Sequence, residues 1–351
     1  MSATIRSTDG AAIGTPAPAV LPAVMQAVRA DRYGDPAEVL GVRTVDRPVA
    51  GKGEVLVRME VAGLSRGALH LTTGTPYLLR LAGFGFRAPK HAMGNELAGT
   101  VVEVGDGVTR FAVGDEVFGY AMGTCAEFAV AKADKLAHRP DGVTARQAAA
   151  IVDSASTALQ AVRDHAEVQR GQRVLVLGAS GGVGSFAVQV AKASGATVTG
   201  TARTEKVGFV RDLGADEVVD HARADPLAAA EPFDVIIDLG GNRAPKAMLA
   251  ALAPDGTLVI VGGEGGGKLT GGFERQLLAP IRAVGGSQRV KTFTATEHHR
   301  YLDELAAMVA SGQIIPAIDQ VHALAEAAVG LERMEAGAIR GKDLVEVRTE
   351  P

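Results

Sequence analysis

The stretch that decides the fold is Val174-Leu175-Val176-Leu177-Gly178-Ala179-Ser180-Gly181-Gly182-Val183-Gly184, continued by Ser185-Phe186-Ala187-Val188-Gln189-Val190-Ala191-Lys192. It reads as a buried apolar strand, a glycine turn, and a helix with apolar positions at 186, 187, 190 and 191. Glycines let the backbone approach a ligand closely, and the amide groups and positive dipole end at the start of a helix favour an anion. The guest this predicts is a dinucleotide pyrophosphate, held by Gly178, Ala179, Ser180, Gly181, Gly182, Val183 and Gly184. A glycine fingerprint alone is weak, and here Ala179 stands at the first glycine of the strict G-x-G-x-x-G register, so the surroundings must decide.

Downstream, strand and helix alternate. Thr197 to Thr201 reads as strand, Glu205 to Leu213 as helix, Glu217 to Val219 and Phe233 to Asp238 as strands, Ala247 to Leu252 as helix, and Thr257 to Val261 as strand. Arg289 to Phe293 adds a sixth strand, and a helix from Glu297 to Val309 ends before Gly312. This alternation predicts an α/β fold with a doubly wound parallel sheet of Rossmann type, whose ligands sit at the carboxyl ends of the strands.

Upstream the pattern changes. Short strands at Met25 to Ala30, Glu54 to Ala62, Leu97 to Val104, Glu116 to Phe118 and Ala126 to Val130, broken by Gly-Asp and Pro/Gly turns, predict a compact β-rich unit. The alanine-rich run from Thr144 to Val162 links the two units. A closing strand, helix and strand at Ala317 to Val321, Leu324 to Met334 and Asp343 to Val347 is expected to return to the β-rich unit. The division is thus a disordered tail over 1–24, a catalytic domain over 25–148 joined by 313–351, and a nucleotide-binding domain over 149–312.

With 351 residues, two domains are the natural reading. Apolar residues make up 47% and the net charge is −4, without a long basic run, which argues against nucleic acid or an anionic membrane as partner. The single cysteine, Cys125, leaves no internal disulfide and no multi-cysteine metal site, and fits a reducing, cytoplasmic setting. No segment reaches the roughly 20 apolar residues of a membrane span.

Taken together, Gly105-Asp106-Gly107-Val108-Thr109-Arg110-Phe111-Ala112-Val113-Gly114-Asp115-Glu116-Val117-Phe118-Gly119, the glycine turn, Leu213-Gly214-Ala215-Asp216 and the closing Gly341-Lys342 resemble the medium-chain dehydrogenase/reductase superfamily. The similarity is greatest to its zinc-independent quinone oxidoreductase branch, including the reticulon-interacting mitochondrial type. The resemblance implies a GroES-like catalytic domain split around a Rossmann domain, a cleft between them, and a homodimer.

The cofactor follows from the end of the second nucleotide-domain strand. An NAD site places a carboxylate there for the ribose 2′-hydroxyl. Here Thr201-Ala202-Arg203-Thr204-Glu205-Lys206 offers neutral residues, then Arg203 and Lys206, which can grip a 2′-phosphate. The expected coenzyme is NADP(H). In similar reductases an aromatic residue follows the third strand; His221 stands there, against adenine or phosphate or simply in solvent. Gly240, Val261, Gly262 and Gly263 lie by resemblance on the nicotinamide side. Gly262 to Lys268 imitates a P-loop but has Leu269 where a Mg²⁺-binding hydroxyl is needed, so a nucleoside triphosphatase is rejected.

Zinc-dependent relatives hold the ion with thiolate and imidazole. The corresponding segments read Ala62-Gly63-Leu64-Ser65-Arg66 and Gly94-Asn95-Glu96, so Ser65 and Asn95 are neutral oxygen donors, and no metal is expected. Without a Lewis acid, hydride transfer to a quinone or an α,β-unsaturated carbonyl asks less than alcohol oxidation. The alternatives are a metal-free alcohol or aldehyde oxidoreductase and a non-catalytic NADPH-binding protein. Candidate catalytic donors are Ser65, Asn95, Thr157 and Tyr77, the last within an apolar insertion, Gly74 to Phe86, that either lines a substrate pocket or packs as core or interface.

Overall fold

A computed structural model describes residues 21–81, 85–88, 90–262, 267–272, 275 and 286–347. Fifteen strands are named here in chain order. The first seven are β1 Val24–Ala30, β2 Leu40–Asp46, β3 Glu54–Gly63, β4 Glu96–Val104, β5 Glu116–Tyr120, β6 Phe128–Lys132 and β7 Leu136–His138. The next six are β8 Arg173–Leu177, β9 Thr197–Ala202, β10 Glu217–Asp220, β11 Phe233–Asp238, β12 Leu252–Ile260 and β13 Arg289–Thr292, followed by β14 Ile318–Ala323 and β15 Lys342–Glu346.

The glycine turn follows the central strand of a six-stranded parallel sheet ordered β10-β9-β8-β11-β12-β13. The order reverses between β8 and β11, which opens a crevice at the carboxyl ends of those strands. Leu175, Val176, Ile236, Ile237, Leu258 and Val259 are fully buried, as strands covered on both faces require. The helix Gly182–Ala193 packs along this sheet, burying Phe186, Ala187, Val190 and Ala191, the face its spacing predicts.

The second sheet runs β14-β15-β3-β4-β5-β7, with β6 also on β3. The closing segment returns as expected: Leu344 and Val345 of β15 pair with Gly63 and Ala62 of β3. β1 and β2 form a separate antiparallel pair joined to this unit through a bridge from Ala27 to Ala126. The alanine-rich run is broken into the helices Ala145–Ile151 and Asp153–Leu159, ending in a π turn over Gln160–His165. Thr144 and Gln147 close a capping box at its start. The run lies between the sheets, and one apolar cluster joins Val61, Ala98, Phe118 and Leu344 of the antiparallel sheet to Val174 and Val259 of the parallel one and to Phe186 of the helix packed on it.

Some expectations are corrected. The first strand begins at Val24 rather than Met25; residues 1–20 lie outside the described ones. β6 begins at Phe128 rather than Ala126. The sequence reading also missed β2, β7 and the helix Arg66–Thr73, which Ser65 caps by accepting from the Ala68 amide at 3.2 Å.

Candidate functional site

A cleft of about 520 Å³ lies where the two sheets meet. Its nucleotide-domain wall is the glycine turn: Gly178, Ser180, Gly181, Gly182, Val183 and Gly184 line it, while Ala179 is buried behind them. Gly178 sits at φ +84°, and its amide donates to Thr201 Oγ1 at 3.0 Å, so the end of β9 holds the turn. A Cβ on Gly184 would stand 2.1 Å from the Gly178 carbonyl oxygen, and one on Gly182 2.9 Å from Ser154 Oγ. Only hydrogen fits at either position. No side chain caps the helix Gly182–Ala193, so its first amides are left for a ligand. This cradle suits a pyrophosphate.

Leu239 and Gly240 after β11, and Val261 and Gly262 after β12, line the next part of the cleft. Asp238 fixes that turn, accepting from the Gly241 amide at 3.0 Å and from Arg275 at 2.7 Å. Gly263 lies outside the described residues.

Lys206 reaches the cleft, yet it is only 6% exposed, because its ammonium donates to the Gly337 and Ile339 carbonyls at 2.7 Å each. Burial first, and the Arg203 charge second, hold its pKa below the usual lysine value. Arg203 is exposed and lies outside the cleft lining, its guanidinium about 4 Å from where a Cβ on Gly337 would be. His221 is exposed and does not line the cleft; its backbone amide donates to Ala202.

On the opposite wall Ser65, Arg66, His70, Asp153, Ser154 and Thr157 come together. Ser65 donates to Asn95 Oδ1 at 2.8 Å, so Asn95 stands one bond behind the lining. Tyr77 is not among these residues. It is 43% exposed in the short helix Tyr77–Leu79, with the Arg80 guanidinium 4.7 Å over its ring. The insertion carries Leu81 and Phe86 on the surface, and residues 82–84 lie outside the described ones. Cys125 is buried and its thiol is pushed up to about 12 by burial, which makes it inert.

The sequence reading missed two features. The first is the closing turn: Gly337, Ile339 and Gly341 line the cleft, and the Gly341 amide donates to the Ser180 carbonyl at 3.0 Å. The second is a buried ion pair. Lys342 donates to Glu96 Oε1 at 2.6 Å and to Ser154 Oγ at 3.2 Å, while Glu96 Oε2 accepts from the Asp153 amide at 3.3 Å. Burial raises the Glu96 pKa to about 7 against the pull of Lys342. The one signal was a Gly-Lys pair opening an apolar strand.

The sequence over residues 51–162 matches the family described as alcohol dehydrogenase GroES-like domain, and residues 213–345 match zinc-binding dehydrogenase. NAD(P)H oxidoreductase RTN4IP1, mitochondrial, of Danio rerio is 31% identical, with 92% of each chain covered. The chain belongs to the medium-chain dehydrogenase/reductase superfamily. Among other members, a quinone oxidoreductase of Pseudomonas aeruginosa is 34% identical over 84% of this chain and 91% of its own length. The solved quinone oxidoreductase from Coxiella burnetii superposes with a TM-score of 0.82 at 27% identity, covering 93% of this chain and all of that one. Membership makes this medium-chain dehydrogenase/reductase an oxidoreductase with a nicotinamide coenzyme. Among its described residues no three His, Cys, Asp or Glu side chains cluster to hold an ion, and no helix is long and apolar enough to cross a membrane.

Proposed function

We propose that the protein is an NADPH-dependent, zinc-independent reductase of a small-molecule quinone or α,β-unsaturated carbonyl. The observation that carries this reading is the end of β9, where neutral Thr201 and Ala202 are followed by Arg203 and by Lys206 at the cleft wall. A carboxylate at that position would repel a 2′-phosphate; the exposed Arg203 guanidinium attracts it, and the buried Lys206, held by the Gly337 and Ile339 carbonyls, adds positive charge behind it.

The donor set on the opposite wall supports the absence of zinc. Ser65 and Asn95 bond to each other and present hydroxyl and amide groups, poor partners for an ion that prefers thiolate and imidazole. When bound, NADPH supplies the hydride. The chain's own residues do the rest. The glycine turn fixes the pyrophosphate, Leu239, Gly240, Val261 and Gly262 shape the nicotinamide end, and Ser65 and Thr157 face the acceptor from the other wall. Relatives printed as quinone oxidoreductases agree with this acceptor class.

By the same reading the domains divide near residues 148 and 312, and the protein acts in a reducing compartment. The cytoplasm is the location proposed from Cys125, although several relatives carry a mitochondrial label. A homodimer is proposed as well, since among the described residues β13 has no further strand on its outer edge. Incubating purified protein with NADPH or NADH and a panel of quinones, enones and aldehydes tests the assignment. Coenzyme oxidation with quinones or enones is expected, and turnover of aldehydes alone, or none, overturns it.

A further inference from the structure

We propose that Asp153 is the general acid of the reaction, giving a proton to the acceptor once it has taken the hydride; this rests on the reductase reading above. Asp153 opens the helix Asp153–Leu159 and lines the cleft beside Ser65, Ser154 and Thr157. Its backbone is fixed by the bond from its amide to Glu96 Oε2. Its carboxyl makes no hydrogen bond and no ion pair among the described residues, whereas the Lys342 ammonium beside it is bonded to Glu96 and Ser154.

Two acids meet one ammonium here. Glu96 takes Lys342 at 2.6 Å, and Ser154 takes a further donor of the same ammonium at 3.2 Å. Asp153 is left facing the cleft. The titratable and charged groups around it are Glu96 on β4, Tyr120 on β5, Lys342 on β15, Glu297 before the helix His299–Ala310, and Arg66 and His70 on the cleft wall. Burial raises the Asp153 pKa, Lys342 pulls it down, and Glu297 raises it. A carboxyl so placed keeps part of its population protonated nearer to neutral pH than an ordinary aspartate does, as a general acid must. The neighbouring hydroxyls suit the task less, since Ser65 already donates to Asn95.

The step balances. A conjugated acceptor reduced at its β-carbon carries the added electron pair as an enolate. The O–H bond of Asp153 breaks as a C–H bond forms at the α-carbon, or an O–H bond at a quinone oxygen. The products are the saturated carbonyl, or the hydroquinone, and an Asp153 carboxylate that regains its proton from solvent.

The test uses the full-length protein with NADPH and 2-cyclohexen-1-one, comparing wild type, Asp153→Asn and Asp153→Glu. Wild-type kcat should fall on the alkaline side of one ionisation. Asp153→Asn should lower kcat by about 10² or more and remove that limb, with NADPH affinity, read by calorimetric titration, changed less than about threefold. Asp153→Glu should keep a limb at a shifted pH, which carries the test if the Asn variant does not fold. An Asn variant, or a Glu variant in its place, with wild-type kcat and an unmoved limb overturns the acid and leaves the reductase reading standing. A wild type that reduces neither this enone nor any quinone with NADPH overturns both.

Discussion

Ser65 and Asn95 meet at 2.8 Å, and Lys342 meets Glu96 at 2.6 Å; the sequence singles out Ser65 and Asn95 as candidate donors but shows neither contact. Ser65 and Asn95 stand in short segments that can be compared by type with a metal site. Lys342 and Glu96 are separated by 246 positions, and nothing local to either signals the other. Replacing Lys342 by Met leaves a fully buried carboxylate without its cation, so Lys342→Met should cost about 3–5 kcal/mol in urea unfolding. The pH dependence follows from the Glu96 shift, from an ordinary 4.5 to about 7 in the native state. Between those values the folded chain holds a proton the unfolded chain has lost, so this group's contribution to stability falls as pH rises through that window. The fall should be visible in wild-type denaturation curves and absent in Glu96→Gln. Arg203→Glu should lower the preference for NADPH over NADH in the ratio of their KM values, because it returns a carboxylate to the end of β9.

At the scale of elements, the nucleotide half was nearly transparent. Phe233–Asp238 runs where expected, because a strand buried on both faces announces itself as an unbroken apolar run. β2 and β7 were not legible: one lies mostly at the surface and the other has three residues. The packing of the turn around Gly341 against Ser180 was hidden for a different reason. It joins the glycine turn to a segment far along the chain, and nothing local to either signals the other. The glycine turn is the element with least tolerance. Gly184→Ala places a methyl 2.1 Å from a backbone oxygen, so the turn must shift, at about 1–3 kcal/mol. Calorimetric titration with NADPH should show binding weakened at least about tenfold, with circular dichroism close to wild type at room temperature.

Over the whole molecule, the two sheets share one apolar cluster, and the cleft lies between them. The coenzyme wall and the chemical wall are thereby held in register by the same buried side chains. The closing segment contributes to both: Lys342 belongs to the ion pair behind the chemical wall, and the carbonyls of Gly337 and Ile339 hold Lys206 at the coenzyme wall. On the proposed zinc-independent reading, prolonged dialysis against a chelator should leave turnover unchanged. The most direct measurement is therefore the rate of quinone or enone reduction by chelator-treated protein with NADPH and with NADH, each with and without added zinc. The account predicts full activity after chelation and a preference for NADPH of about tenfold or more, the effect of one or two charged contacts at about 1.5–3 kcal/mol each. Equal rates with NADH, or activity that vanishes on chelation and returns with zinc, would contradict it.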